Sequence, residues 1–239
     1  MKSFANSLIA ACLYFLPQAL AAEQIFENQG AVPQLIELYT SEGCSSCPPA
    51  ERYINSFIGS ADLWKKVVPL AFHVDYWDYI GWEDRFAQPE FKQRQYNHRR
   101  LGNLKSVYTP GWISSGKEWR GFFQGKALPN QSSSGGLLKA SLNSQTLKVS
   151  YTPKRDRKVL IAHVAVLGFN LSSQVTSGEN AGRLLQHQFV VLHKQQKAQS
   201  DYNWSFELPH LQTSQKHALA IWVSERDQQP IQVAADWLK

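Results

Sequence analysis

Apolar and polar residues along this chain fall into two regimes. Up to about residue 113, compact apolar runs are separated by polar, helix-compatible stretches; beyond about 137, strand-like runs follow one another with turn residues between them. Leu35-Ile36-Glu37-Leu38-Tyr39-Thr40 predicts a strand. Val67 to Val74 predicts another, apolar on both faces until its end. Between them the pattern predicts a helix from about Pro49 to Ile58, stopped by Gly59. Strand, helix and strand in that order predict a parallel pair. A second helix is signalled by Pro89 near its first turn and Gly102 after its end, with His98, Arg99 and Arg100 in its last turn and Arg99 and Arg100 read as a solvated cap. Ser106–Ile113 and Lys117–Arg120 predict a hairpin around Ser114-Ser115-Gly116.

Composition then shifts. Pro129-Asn130-Gln131-Ser132-Ser133-Ser134-Gly135-Gly136 reads as a linker. After it, Leu147–Tyr151, Val159–Phe169, Gln188–His193 and Ala218–Val223 read as strands. No helical period is sustained, so 137–239 is expected to form a mostly antiparallel β-sandwich. At the other end, Lys2, the apolar run Phe4–Leu16, Pro17 and the small residues Ala19-Leu20-Ala21 read as an export signal covering 1–22. That run is too short to cross a bilayer, and nothing downstream is longer and as apolar. A soluble periplasmic or secreted protein is expected. Ile9-Ala10-Ala11-Cys12 has the look of a lipoprotein box, but the apolar core continues past Cys12.

Charge narrows the partners. Twenty-five basic and 19 acidic residues give a net +6, with no dense Lys/Arg stripe, which argues against nucleic acid. Cysteine usage is sharper: with Cys12 in the export signal, Cys44 and Cys47 are the remaining pair. Cys44-Ser45-Ser46-Cys47 follows a strand and precedes a helix. A strand feeding a CxxC at a helix mouth is the layout of thiol–disulfide chemistry on an α/β thioredoxin-like domain, here expected over 33–128. The thiolate is the attacking species, and helix N-terminal amides favour it. A plain staple is the bland alternative. A four-residue loop gains only about 2 kcal/mol from closure, against about 4.7 for a hundred-residue loop. Metal ligation by the two sulfurs is a third reading. Ser45-Ser46 offers the thiolate no cation, Glu42 opposes its ionisation, and Pro48-Pro49 predicts a delayed helix start.

His73 and Asp75 share a strand face at the carboxyl end, where ligands gather in open parallel sheets. They either close the core as a hydrogen-bonded pair or assist proton transfer, Asp75 fixing the His73 tautomer. Thr109-Pro110 heads a strand and is expected to be a cis peptide beside the CxxC. Thr109 and Pro110, with Tyr108 and Trp77, are the candidate substrate-binding residues. The other aromatic residues nearby, Tyr76, Tyr79, Trp82 and Trp112, form either core or a groove. His187 and His193 are read as same-face positions of one surface strand, and no metal site is expected.

Four motifs carry a resemblance: Glu37 to Glu51 around the CxxC, His73-Val74-Asp75-Tyr76-Trp77-Asp78-Tyr79-Ile80-Gly81-Trp82, Val107-Tyr108-Thr109-Pro110, and Gly178-Glu179-Asn180. Together they resemble the exported bacterial domain-of-unknown-function 1223 family, classed in the thioredoxin-like superfamily. The resemblance implies Cys44, Cys47 and Pro110 in the positions of a redox site, but no established activity. One departure stands out: 121–128 leaves little room for a closing helix, so the β half is expected to cover that face. The leading expectation is a periplasmic thiol–disulfide oxidoreductase-like protein acting on envelope protein thiols or disulfides. In it Cys44 is the exposed nucleophile, Cys47 resolves, and no dissociable cofactor is needed. The alternatives are a non-catalytic binding module of the envelope, and a copper or zinc carrier using the CxxC and His73.

Overall fold

The computed structural model describes residues 23–130, 132–156, 159–212 and 214–239. The expected export signal, 1–22, lies outside the described residues, as does Gln131 of the expected linker. The chain opens with β1 (Gln24–Ala31) and β2 (Gln34–Thr40), then α1 (Pro48–Asn55), β3 (Val67–His73) and α2 (Pro89–Arg100). The short hairpin β4 (Gly111–Ser114) and β5 (Lys117–Glu118) follows. Next come β6 (Ser134–Asn143), β7 (Thr146–Thr152), β8 (Leu160–Gly168), β9 (Leu171–Gln174) and β10 (Leu184–His187). The chain closes with β11 (Val190–Gln199), β12 (Asn203–Glu207), β13 (His217–Ser224) and β14 (Pro230–Trp237).

The β2–α1–β3 unit forms as the pattern predicts, with β2 and β3 parallel from Gln34↔Val67 to Thr40↔His73. Helix α1 starts at Pro48, earlier than the paired prolines suggested, because Cys47 itself takes helical backbone (φ −78°, ψ −34°). Prolines at the first two helical positions cost no intrahelical bond, since those N–H groups have no acceptor in the helix. Ser115 and Gly116 both take positive φ, the geometry of a two-residue hairpin turn between β4 and β5.

The expected α/β thioredoxin-like domain followed by a sandwich is not the architecture found. Among the described residues about 44% lie in strands, with two short α-helices and three sheets. The largest sheet has eight strands in the order β14-β13-β8-β11-β3-β2-β4-β5, so strands from both sides of 129–136 share it. The physical reason lies at the outer edge of β3. This strand is buried on both faces, and its free edge needs backbone partners. The start of β11 supplies them: Ala71 N donates to Phe189 O at 2.9 Å, and Val190 pairs parallel with Ala71. The sandwich is likewise not confined to 137–239, because β1, from before the CxxC, pairs antiparallel with β6.

The sheet β1-β6-β7-β12 packs on one face of the large sheet. Strand periodicity explains the long apolar runs. In β8, Ala162, Val164 and Val166 meet the smaller sheet, whereas Ala165 and Leu167 face the other core. In β13, Leu219, Ile221 and Val223 face the smaller sheet, while Ala218, Ala220 and Trp222 look the other way, into the core that also holds Ala50, Ile54 and Phe91 of the helices. Where 121–128 leaves little room for a closing helix, a single 3-10 turn, Gly121–Gln124, sets the Phe122 ring 5.7 Å from Tyr53 and 5.4 Å from Trp112.

Because one sheet runs through both cores, a cavity on the sandwich side should weaken the whole molecule. Ile221→Ala is expected to lower the unfolding free energy by about 2–5 kcal/mol. Urea titrations followed by tryptophan fluorescence and by far-ultraviolet circular dichroism should give coincident transitions. Two separated transitions would count against the shared sheet as the unit of stability.

Candidate functional site

Strand β2 delivers the chain to a tight turn. Cys44 N donates to Ser41 O and Cys47 N to Cys44 O, both at 3.1 Å, and Glu51 N closes the first helical bond to Cys47 O at 3.0 Å. Cys44 and Cys47 are joined as a disulfide. Ser45 and Ser46 are exposed, yet the cysteines are not: Cys44 is 1% exposed and Cys47 0%. This differs from the open nucleophile expected at Cys44.

The cover comes from far along the chain. Strands β9 and β10 form a two-stranded hairpin whose loop, 175–183, lies over the turn. Asn180, wholly buried, donates through Nδ2 to Glu42 O at 2.8 Å and to Cys44 O at 3.0 Å, and its Oδ1 accepts from Arg183 Nη1. The carboxylate of Glu179 accepts from Ser45 N at 3.2 Å, and the Ser45 hydroxyl and amide hold its pKa down. Ser177 Oγ donates to Gly81 O. Asn55 at the end of α1 donates to Gln186 O and accepts from Gln188 N.

Beneath the turn sits a buried charge cluster. His187 Nε2 donates to Glu42 Oε1 at 3.0 Å. Its Nδ1 lies 2.6 Å from Glu51 Oε2, close enough for an ion pair though too bent for a regular hydrogen bond. Thr40 Oγ1 donates to Glu51 Oε1 and Trp82 Nε1 to Glu42 Oε2. Burial alone would push His187 down, but Glu51 and Glu42 outweigh it and raise its pKa to about 10. Burial likewise opposes ionisation of Glu51, and the His187 charge wins, lowering its pKa. Glu42 therefore turns its charge inward to the imidazolium.

Glu51, His73 and His187 each offer a ligand atom within 4.8 Å of the others, so they are the described residues that could hold a metal ion. The fit is poor. Tetrahedral zinc ligands stand roughly 3.3 Å apart at metal–ligand distances near 2.1 Å. Here His187 and Glu51 are already in contact at 2.6 Å, and the other His187 nitrogen is bonded to Glu42. The group is an imidazolium held by two carboxylates.

His73 does pair with a carboxylate, but a different one. Its Nδ1 donates to Asp84 Oδ2 at 2.7 Å, and Asp84 also accepts from Glu42 N and Phe86 N. Burial would raise the Asp84 pKa, yet the His73 charge and these bonds lower it. Asp75 instead pairs with Lys92 of α2 at 2.9 Å. Strand β3 stops at His73, so alternation does not carry on to Asp75. The Thr109-Pro110 peptide is cis. Gly111 pairs with Tyr39, which sets Pro110 at the carboxyl end of β2, where the turn begins. Trp77 bridges the two parts: its Nε1 donates to Thr109 Oγ1 at 2.7 Å, and a Cβ at Gly43 would lie 3.1 Å from its own Cβ. Tyr108 spends its hydroxyl on Glu118 and its carbonyl on Gln95.

Glu42, Glu51, Asp84, Asn180 and His187 are the site residues that the pattern did not place. Asn180 lay in a motif already singled out. His187 was set on one surface strand with His193, but Phe189 takes positive φ (59°) and splits that stretch into β10 and β11, turning His187 inward to 2% exposure.

Fold and site together define a mostly β protein with a disulfide at the mouth of a short helix, roofed by a hairpin from its second half. The chain belongs to the family described as "Protein of unknown function (DUF1223)", whose model matches residues 35–224. It is similar to the crystal structure of protein AGR_C_4864 from Agrobacterium tumefaciens, at 25% identity and a TM-score of 0.57, over 88% of this chain and 96% of that one. It also shares a fold with HBP35 of Porphyromonas gingivalis, at 15% identity and a TM-score of 0.57, over 87% of this chain and 76% of that one. No curated protein matches the chain. Among the described residues, no helix is long and apolar enough to cross a membrane.

The buried cluster predicts a pH signature. A pKa raised from 6.5 to about 10 means that the His187 contribution is complete below pH 6.5 and is lost as pH rises through about 10. The lowered pKa of Glu51 works on the acid side, its share fading as pH falls below the ordinary glutamate value of 4.5. Breaking a buried pair strands the remaining charges, so His187→Gln is expected to cost about 3–5 kcal/mol near pH 6. The difference from wild type should shrink toward pH 10 in urea titrations. A pH-independent difference would refute the charged state of His187.

Proposed function

We propose that this protein exchanges disulfides through Cys44 and Cys47, in an exported setting where such a pair persists. The observation that carries this reading is the pair's position. It closes at the N-terminus of α1, at the carboxyl ends of two parallel strands, with cis Pro110 at the neighbouring register position. In the reduced protein the Cys44 thiolate attacks one sulfur of a partner's disulfide. A mixed disulfide forms, the partner's S–S bond breaks, and its other sulfur leaves as a thiolate that takes up a proton. The Cys47 thiolate then attacks Cys44 Sγ, closes the Cys44–Cys47 bond and releases the partner's second sulfur. The protein gives up two electrons and the partner's disulfide gains them; run backward, the oxidised pair passes its disulfide to a dithiol. With Cys44 1% exposed, either direction requires the 175–183 loop to lift.

The same enclosure favours a second reading, a non-catalytic envelope-binding module whose disulfide locks the turn. Reduction potential separates the two. Equilibration in glutathione buffers with thiol trapping should give a value between about −120 and −270 mV for exchange; a value below about −300 mV marks a lock.

The roof supplies a kinetic test. Asn180→Ala leaves Glu42 O and Cys44 O without their donor, and an unsatisfied buried group costs about 1–3 kcal/mol. Reduction of the disulfide by dithiothreitol should then run about tenfold faster, the equivalent of roughly 1.4 kcal/mol of easier opening. An unchanged rate would mean that the loop does not gate the sulfurs.

A further inference from the structure

A second cavity lies away from the disulfide, between α2, strands β8 and β11, and the β13–β14 turn. It encloses about 730 Å³, within the range of small-molecule sites. Its charged lining is one-sided: Arg94 and Arg100 of α2, Lys194 of β11 and Arg226 of the turn, against Glu90. Arg94 is neutralised by a bidentate pair with Glu37, both bonds at 2.7 Å. Among the described residues the other three cations have no such partner. Lys194 donates to the neutral Gln196 Oε1 at 2.8 Å, and Arg100 to the neutral Asn97 Oδ1 at 3.3 Å. Arg226 has no hydrogen bond or ion pair among the described residues. His163, stacked 4.8 Å from Trp222, adds no charge, since burial, with Lys194 and Arg94 nearby, holds its pKa well below the usual value.

We propose that this cavity binds a small polyanion carrying phosphate or carboxylate groups, held by Lys194, Arg100 and Arg226. Lys194 is half-buried on the cavity wall, and a lysine held there beside Arg94 gains from an anion that joins it. Burial first, and Arg94 second, push the Lys194 pKa down to about 7, which fits a charge whose counterion is external. Arginine forks and a lysine point charge lining one open cavity suit oxyanions bearing more than one negative charge. The cavity's charge does not depend on the state of the CxxC, so this site stands apart from the exchange chemistry.

Calorimetric titration of the full mature chain with pyrophosphate and, separately, with citrate tests it, at constant ionic strength to remove bulk screening. Saturable one-to-one binding of at least one is expected. Pyrophosphate alone would assign phosphate chemistry, and citrate alone carboxylate chemistry. Lys194→Met and Arg226→Gln should each weaken binding by about tenfold or more. Arg226 is exposed, so its variant keeps the fold even if the Lys194 variant does not. Lys148→Ala, on the smaller sheet, should leave affinity unchanged, and the Cys44–Cys47 potential should be the same in all variants. No saturable binding of either probe, or an equal loss in Lys148→Ala, would overturn the proposal.

Discussion

The arrangement around the disulfide hangs on one imidazolium. His187 stands between Glu42 of the turn and Glu51 of α1, and so ties together segments more than a hundred residues apart. Burying three charges carries a large desolvation cost, which such a group offsets only with close geometry and with its remaining lone pairs filled. The outer oxygens are filled, since Thr40 and Trp82 donate to them, and His187 Nε2 makes a regular bond to Glu42, while Nδ1 meets Glu51 as an ion pair only. Removing His187 would strand both carboxylates, so the central imidazole is the member on which the cluster depends. That dependence fixes the height of α1 against the turn and the point where β10 ends.

Strand β2 carries a second such cluster on its opposite face. Glu37 and Tyr39 point toward α2, where Arg94 grips Glu37 and the Tyr39 hydroxyl donates to the same carboxylate at 2.8 Å. Thr40, one residue on, points the other way toward Glu51. The strand that feeds the disulfide is therefore pinned on both faces by polar bonds inside an otherwise apolar core. Arg94 also reaches Gln228 in the β13–β14 turn at 2.8 Å, so this anchorage extends into the far end of the large sheet.

Local features were legible in the sequence because local chemistry decides them. The CxxC between strand and helix, the turn at Ser115-Gly116, the bounds of α2 and the cis peptide before Pro110 each depend on a few adjacent residues. Pairing between distant segments was not legible. An apolar strand such as β3 advertises that it is buried, not which strand lies beside it, and β11 takes that place through the Ala71–Phe189 bond. The carboxylate for His73 was sought two residues away at Asp75, whereas the loop after β3 brings back Asp84. His187 failed for the same reason: a single positive φ at Phe189 rotates the strand ahead of it, and no periodicity registers that.

Enclosure of the disulfide separates two properties that are often run together. The equilibrium potential depends on how well the folded protein holds two thiols compared with one S–S bond. The rate of any exchange depends on access, and the loop over the turn is held by side-chain bonds from Ser177, Glu179 and Asn180. The bridge itself closes a four-residue loop and contributes little to chain entropy, about 2 kcal/mol. By that measure the disulfide is a weak brace for the fold as a whole. On the proposed reading, long-range bonds from the second half of the chain govern when the sulfurs meet solvent. A partner able to displace Asn180 from Glu42 O and Cys44 O would gain access that a small thiol must wait for, and selectivity would then reside in the roof rather than in the cysteines.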